Sequence, residues 1–278
     1  MTSHILLIDC ADQQGLVHRI TGVLFRHASN IVSNHEFVDH AAGHFFMRTE
    51  CVGELDQGVV LAELQALLPP GARARFAQAG KRPLVVLATR EHHCLGDLLL
   101  RHAFDELNAE IRVVVSNYAT LRPLVEQFGI AFHHIAHAGL ERAEHEREVW
   151  AVIDRYRPEY VVLAKYMRVL TPEFVARYRD RIINIHHSFL PAFIGANPYR
   201  QAFERGVKII GATAHYVTDH LDEGPIIAQS VIPVDHTHSA AAMMQAGREV
   251  EKMVLAKALR LVFEERVFLH GNRTVIFE

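Results

Sequence analysis

Beyond Pro83 the chain repeats one pattern: a short apolar run, then a longer stretch whose apolar residues recur at helical spacing. The runs fall at residues 84–88, 111–115, 131–135, 160–165, 182–187, 209–217 and 226–234. Near-continuous apolar runs belong to strands covered on both faces, and the intervening helices are what cover them. The pattern predicts an α/β fold with a doubly wound, mainly parallel sheet. A long helix is expected over about 239–264, capped by Thr237 or Ser239, with Met243, Met244, Val250, Met253, Val254, Ala258 and Leu261 on its buried face. Runs at 266–269 and 274–277 around His270-Gly271-Asn272-Arg273 predict a closing hairpin.

Upstream, Pro69-Pro70-Gly71 and Gly80-Lys81-Arg82-Pro83 punctuate the chain and place a boundary near residue 81, between domains 1–80 and 81–278. The first domain reads β-α-β-β-α-β. It opens with the strand Ile5-Leu6-Leu7-Ile8 and a helix carrying Leu16, Ile20, Val23, Leu24 and His27 at helical spacing. Two strands follow around Asp39-His40-Ala41-Ala42-Gly43, then a helix with Val60, Leu64, Leu67 and Leu68 inside. Last comes a strand in which Ala72, Ala74 and Phe76 alternate with Arg73 and Arg75. That order is a ferredoxin-like α+β unit, and it holds no cluster equipped for catalysis.

Composition narrows the function classes. Half of the 278 residues are hydrophobic and 22% are charged, enough to bury a core and incompatible with a disordered chain. A net charge of −3 leaves no cationic excess for a phosphate backbone, so no nucleic-acid partner is expected. Cys10, Cys51 and Cys94 lie far apart, which suits a reducing cytoplasm better than a disulfide framework. Asp9 and Asp12 interrupt the first apolar stretch, and the uncharged span 182–199 contains paired histidines and prolines. Neither a secretion signal nor a membrane span is therefore expected.

The chemistry concentrates in Asn184-Ile185-His186-His187-Ser188-Phe189-Leu190-Pro191, at the C-terminal end of an expected strand, where open α/β sheets bind ligands. Alternation along the strand puts Asn184 and His186 on one side and His187 on the other. An amide can donate to an oxyanion, and an imidazole can move a proton near neutral pH. Between the next two strands, Thr218-Asp219-His220-Leu221-Asp222-Glu223-Gly224-Pro225 supplies carboxylates, which can orient an imidazole, raise its pKa or position water. Taken alone, the first run is also compatible with packing at a strand end, and the second with an acidic surface turn. His92-His93-Cys94 offers side chains that zinc accepts. Opposed His186 and His187 cannot easily share a metal, and no metal site is expected.

Together these runs resemble the formyltetrahydrofolate-dependent formyltransferase superfamily. Asn-x-His-x-Ser-x-Leu-Pro followed by Leu-Asp-x-Gly-Pro is similar to its catalytic signature, with Asn184, His186 and Asp222 matching its triad at a separation of 38 positions. The stretch Ala164-Lys165-Tyr166-Met167-Arg168-Val169-Leu170-Thr171-Pro172 is similar to its folate-pocket segment. The resemblance covers about 84–278. It implies that Met167, Arg168, Val169 and Leu170, with His215, Thr218 and Asp219, hold the pterin, largely through backbone groups. Without it, Met167 and Leu170 would read as ordinary core.

Asp12-Gln13-Gln14-Gly15-Leu16-Val17 ahead of the first helix resembles an ACT domain. That implies an amino-acid effector near Asp12, Gly15 and Leu16, and a homo-oligomer joined through such domains. An ACT-like domain before a formyltransferase-like one is the layout of formyltetrahydrofolate deformylases, which 161–175 and 182–196 resemble in particular. His187 stands where the transferases usually have proline. The implied activity is hydrolysis of 10-formyltetrahydrofolate to formate and tetrahydrofolate, supplying formate for purine biosynthesis and balancing one-carbon pools, with no metal or redox cofactor. The alternative is formyl transfer to an unidentified amine. Against a phosphorylated acceptor, Thr89-Arg90-Glu91-His92-His93-Cys94-Leu95-Gly96 is bulky where the glycinamide ribonucleotide formyltransferases carry a small-residue loop, although Arg90 could still meet an anion. A non-catalytic folate or amino-acid sensor would have no need of the Asn/His/Asp set.

Overall fold

The computed structural model describes residues 2–192 and 198–278, so positions 193–196 of the 182–196 stretch lie outside the described residues. The chain divides into two compact units. The first comprises the chain up to Ala79 with Glu265–Phe268 and Val275–Glu278; the second comprises Gly80–Glu264 with Leu269–Thr274. A single cut near residue 81 does not foresee the return of C-terminal residues to the first unit.

The first unit contains β1 (Ser3–Ala11), α1 (Leu16–Arg26), β2 (Asn30–Asp39), β3 (His44–Val52), α2 (Gln57–Leu67) and β4 (Arg73–Phe76). Its four strands form an antiparallel sheet in the order β2-β3-β1-β4. Leu6, Ile8 and Cys10 alternate toward one face of β1, where Leu16, Ile20, Val23 and Leu24 of α1 and Val60 and Leu64 of α2 cover them. Ile5 and Leu7 point to the other face, which is apolar too and must also be covered. Phe268 and Phe277 do this, packing with Leu7 and Phe46. Arg48, fully buried, donates from Nε to the Glu265 carbonyl at 3.0 Å. His27 is not on the helix's inner face: α1 ends at Arg26, and the half-buried ring meets Glu63 at 2.9 Å. At Gly15, φ of +82° carries the chain from β1 into α1, a conformation most side chains resist.

The second unit winds through β5 (Arg82–Ala88), α3 (His93–Ala103), β6 (Ala109–Ser116), α4 (Arg122–Gln127), β7 (Ala131–His134), α5 (Arg142–Tyr156), β8 (Tyr160–Ala164), α6 (Pro172–Arg177), β9 (Ile182–His186), α7 (Pro198–Arg205), β10 (Ile209–Tyr216), β11 (Ile226–Pro233) and α8 (Ala240–Phe263). A hairpin of β12 (Val267–His270) and β13 (Arg273–Ile276) follows. The seven-stranded sheet runs β11-β10-β9-β8-β5-β6-β7. Pairings from β7 through β9 are parallel, and those of β10 with β9 and β11 are antiparallel. From β5 the chain winds outward to β7, then restarts at β8 on the other side of β5. That reversal opens a crevice at the C-terminal strand ends.

Ser239, rather than Thr237, caps α8, its Oγ accepting from the Ala242 amide at 3.2 Å. The buried stripe of α8 passes through Met243, Gly247, Val250, Val254, Ala258 and Leu261. Met244 and Met253, expected on it, are 42% and 56% exposed because they fall to either side of that stripe. No helix among the described residues is long and apolar enough to cross a membrane.

Candidate active site

Three segments converge on a cavity of about 250 Å³: the turn after β8, the end of β9, and the loop between β10 and β11. Asn184, His186, Asp222, Met167, Arg168, Val169, Leu170, His215, Thr218 and Asp219 all line it.

The β9–β10 register places His215 directly opposite Asn184. Facing residues of paired strands share a side of the sheet, and the Asn184 amide nitrogen lies 3.2 Å from His215 Nε2. His215 Nδ1 sits 2.8 Å from the Tyr216 carbonyl, which can only accept. The proton is therefore on Nδ1, and Nε2 accepts from the Asn184 amide. Burial lowers the pKa of His215 and keeps the ring neutral, consistent with that tautomer.

Asp222 reaches the strand ends because its loop folds back on the sheet. The Tyr216 amide donates to the Pro225 carbonyl at 2.9 Å, and Asn272 Nδ2 to the Glu223 carbonyl at 2.9 Å. Asp222 itself has φ of +57°, a conformation aspartate tolerates better than most residues. Its Oδ1 lies 3.2 Å from His186 Nδ1 and 3.8 Å from His215 Nε2. Burial alone would raise the Asp222 pKa, but the His186 bond, with the attraction of that ring, outweighs it and holds the carboxyl below its usual range. Asp222 thus accepts from His186 Nδ1, and among the described residues nothing bonds the buried His186 Nε2.

The segment after β9 is tied down by Thr213. Its hydroxyl donates to the Ser188 carbonyl at 2.9 Å and accepts from the Leu190 amide at 3.0 Å and from Gln229 Nε2 at 2.9 Å. The folate-like segment is held at its far end by Glu146, which is buried and accepts from the Thr171 amide at 2.9 Å and from the Thr171 hydroxyl.

His187 departs from the expected alternation. The strand ends at His186, and the two rings stack with centroids 5.0 Å apart and planes at 24°. His187 consequently lines the cavity. Burial, the Lys165 charge and His186 depress its pKa to about 4. Lys165 and Tyr166 are further wall residues that sequence reasoning did not assign to a role. The available signal was a lysine ending an apolar run at the same sheet edge as Asn184.

Among the described residues, one group could present three ligand atoms to a metal: His93, Cys94 and Glu251, mutually within 4.8 Å. Lys165 Nζ already lies 3.2 Å from the Glu251 carboxylate, and burial pushes the Cys94 thiol up, away from the thiolate a metal would need. In the first unit, the Asp12 amide donates to the Gly43 carbonyl at 2.8 Å, Gly15 precedes α1, and Leu16 is a buried core residue.

Comparison with known proteins agrees with this architecture. A formyl transferase family model matches residues 82–259 and an ACT domain model matches residues 4–69. A formyltetrahydrofolate deformylase of Escherichia coli O6:H1 is 59% identical over 267 residues, covering 96% of this chain and 95% of the relative. The crystal structure of a formyltetrahydrofolate deformylase from Pseudomonas syringae superposes with a TM-score of 0.93 at 40% identity, covering 99% of this chain and 94% of that one. A glycinamide ribonucleotide transformylase from Symbiobacterium toebii matches at 30% identity and a TM-score of 0.69, covering 72% of this chain and 96% of that one. The chain belongs to the formyl transferase family and, within it, to the formyltetrahydrofolate deformylases.

Proposed function

We propose that this chain hydrolyses 10-formyltetrahydrofolate to formate and tetrahydrofolate at the cavity built on Asn184, His186 and Asp222. The observation that carries the reading is the state of His186: Nδ1 engaged by Asp222 at 3.2 Å, and Nε2 buried without a bond among the described residues. An imidazole so oriented is prepared to take a proton at one defined atom and to be stabilised as imidazolium by the carboxylate behind it.

Water attacks the formyl carbon as His186 Nε2 takes its proton, and the carbonyl π electrons move onto the formyl oxygen. Asn184, with one N–H given to His215, has a second for that oxyanion, a contribution worth roughly 10²–10³ in rate for one donor. The adduct collapses, the C–N10 bond breaks, and N10 receives the proton from His186. Formic acid then ionises. Met167, Arg168, Val169, Leu170, Thr218 and Asp219 would hold the pterin, with apolar side chains over its faces and backbone groups at its edge. Each step is assigned to this chain's side chains and to water, with no metal or redox cofactor.

Purified chain incubated with 10-formyltetrahydrofolate and no other reactant should release one formate per tetrahydrofolate formed. Absence of formate until an amine is supplied would establish a transferase instead.

The ACT domain supports control by a small molecule, which we assign to an amino acid bound near Asp12, Gly15 and the backbone of Leu16, in a homo-oligomer. Glycine and methionine are the candidates to titrate calorimetrically. The whole chain is the right sample, because Glu265–Phe268 and Val275–Glu278 belong to the first unit. The free, buried cysteines suit a reducing cytoplasm.

A further inference from the structure

Behind the reacting centre lies a polar cluster that the hydrolytic scheme does not use. Glu251 of α8 is 1% exposed, accepts from Tyr199 Oη at 2.6 Å and from His93 Nε2 at 2.7 Å, and forms an ion pair with Lys165 Nζ at 3.2 Å. The local structure is built to make this possible. A Cβ on Gly247 would fall 2.2 Å from the Tyr199 ring, so only glycine lets that ring lie against α8. Lys165 takes φ of +61°, and its carbonyl is fixed by the Thr89 hydroxyl at 2.6 Å.

Burying a carboxylate with an ammonium rarely adds stability over apolar packing. Here two donors and an ammonium converge on one carboxylate, and the ammonium's residue, Lys165, lines the cavity that His187 also lines, the His187 ring stacking on His186. Arg168 also stands in the wall, but it is half-buried, whereas Lys165 is buried and less screened by solvent.

We propose that Lys165, anchored by Glu251, determines the nucleophile: its fixed ammonium admits water to the formyl carbon and excludes amines. This rests on the hydrolytic reading above. When water attacks, its proton leaves to His186 as the C–O bond forms and the adduct carries an oxyanion, which a nearby cation favours. When an amine attacks, the same oxyanion forms, but the nitrogen becomes positive as the C–N bond forms, before any proton is lost, and the cation's repulsion of that nitrogen offsets its attraction for the oxygen. Aliphatic amines also arrive largely protonated near neutral pH, so the ammonium repels them on entry. Glu251, Tyr199 and His93 are positioning residues, acting through Lys165.

The test is the partition of the formyl group in the full-length protein. 10-Formyltetrahydrofolate is supplied with glycinamide or with hydroxylamine, and formate and the formylated amine are both quantified against the uncatalysed reaction. Wild type should give formate almost alone. Lys165→Met should raise the formylated fraction by about tenfold or more, and Lys165→Arg should keep the wild-type partition. The paired variant Lys165→Met/Glu251→Gln leaves no unpaired buried charge and should show the same rise. Partition is a ratio, so slower turnover does not obscure it, and circular dichroism verifies folding. A partition within twofold of wild type in both Lys165→Met variants overturns the proposal, as does complete loss of turnover in a folded one, because selecting a nucleophile is not required for the chemistry. Wild type that releases no formate without an amine would instead overturn the hydrolytic reading itself.

Discussion

Asn184 and His215 meet across the β9–β10 pair, the amide nitrogen 3.2 Å from Nε2 of an imidazole whose Nδ1 is committed to the Tyr216 carbonyl at 2.8 Å. The backbone of β10 thereby fixes a tautomer, the tautomer fixes which end of the Asn184 amide faces it, and the second N–H is left for an oxyanion. Resemblance alone assigns His215 to folate binding; from this geometry we propose instead that it positions Asn184. Replacing His215 by leucine frees the amide to rotate and should lower kcat about tenfold while KM stays within about twofold. Removing the donor itself with Asn184→Leu should cost roughly 10²–10³ in kcat. Steady-state formate release measures both, and a His215→Leu loss residing in KM would return the ring to substrate binding.

Gly224 touches the same carbonyl from the other side. A Cβ there would fall 1.7 Å from the Tyr216 oxygen, an overlap relieved only by moving the loop. Asp222 lies two residues upstream and would move with it, away from His186. Gly224→Ala should therefore reduce kcat by more than about 10²-fold, whereas Glu223→Ala, at an exposed neighbour, should have little effect. Equal activity in the two variants would show that the loop can re-form without its glycine.

Much of this site is legible in the sequence because its parts ride on strand ends, where a run of seven or eight residues carries both the structural signal and the chemistry. Asn184 and His186 are of this kind, and Asp222 lies in the short loop that joins β10 to β11. Glu251 is of neither kind: within a helical stretch it reads as one more solvated carboxylate, and only partners brought in from positions 93, 165 and 199 reveal it as buried. His187 was misplaced because alternation holds only inside a strand, and β9 stops one residue before it. On α8 the choice among neighbouring methionines turned on the phase of a narrow stripe, which hydrophobicity alone does not fix. The apolar residues on both sides of β1 did signal a second covered face. That the cover would come from Phe268 and Phe277 depends on tertiary structure.

Glu146 offers a way to loosen the folate segment without touching the reacting centre. Its buried carboxylate accepts both the amide and the hydroxyl of Thr171, and Thr171 in turn caps α6, accepting from the Phe174 amide at 3.3 Å. Glu146→Ala strands those donors and should cost about 1–3 kcal/mol of stability. It should also raise KM several-fold more than it lowers kcat, since the segment 167–170 ends at this anchor. Glu146→Gln retains an acceptor and should recover most of both. Denaturant midpoints and steady-state kinetics read the two effects separately, and unchanged KM in Glu146→Ala would detach the anchor from folate binding.

Stability should fall on acidification in two successive windows. The His187 pKa is depressed from an ordinary 6.5 to about 4 in the folded protein. Between those values the unfolded chain binds a proton that the folded chain refuses, so this contribution, complete above pH 6.5, drains away as pH approaches 4. A shift of that size corresponds to about 3 kcal/mol. Burial would raise the Glu251 pKa, yet the His93 bond, the Lys165 charge and the Tyr199 bond overcome it and lower it to about 2. Its stabilisation is present above the ordinary value of 4.5 and is lost as pH falls from there toward 2. Urea midpoints at pH 7.5, 6.5, 5.5 and 4.5 should decline through the first window, and midpoints at pH 3.5 and 2.5 should decline further. His215 and His145, whose pKa values burial also lowers, share the upper window, so substituting His187 by asparagine should make the decline between pH 6.5 and 4.5 shallower while leaving the lower decline in place. A His187→Asn profile parallel to wild type would place the acid-labile proton on another group.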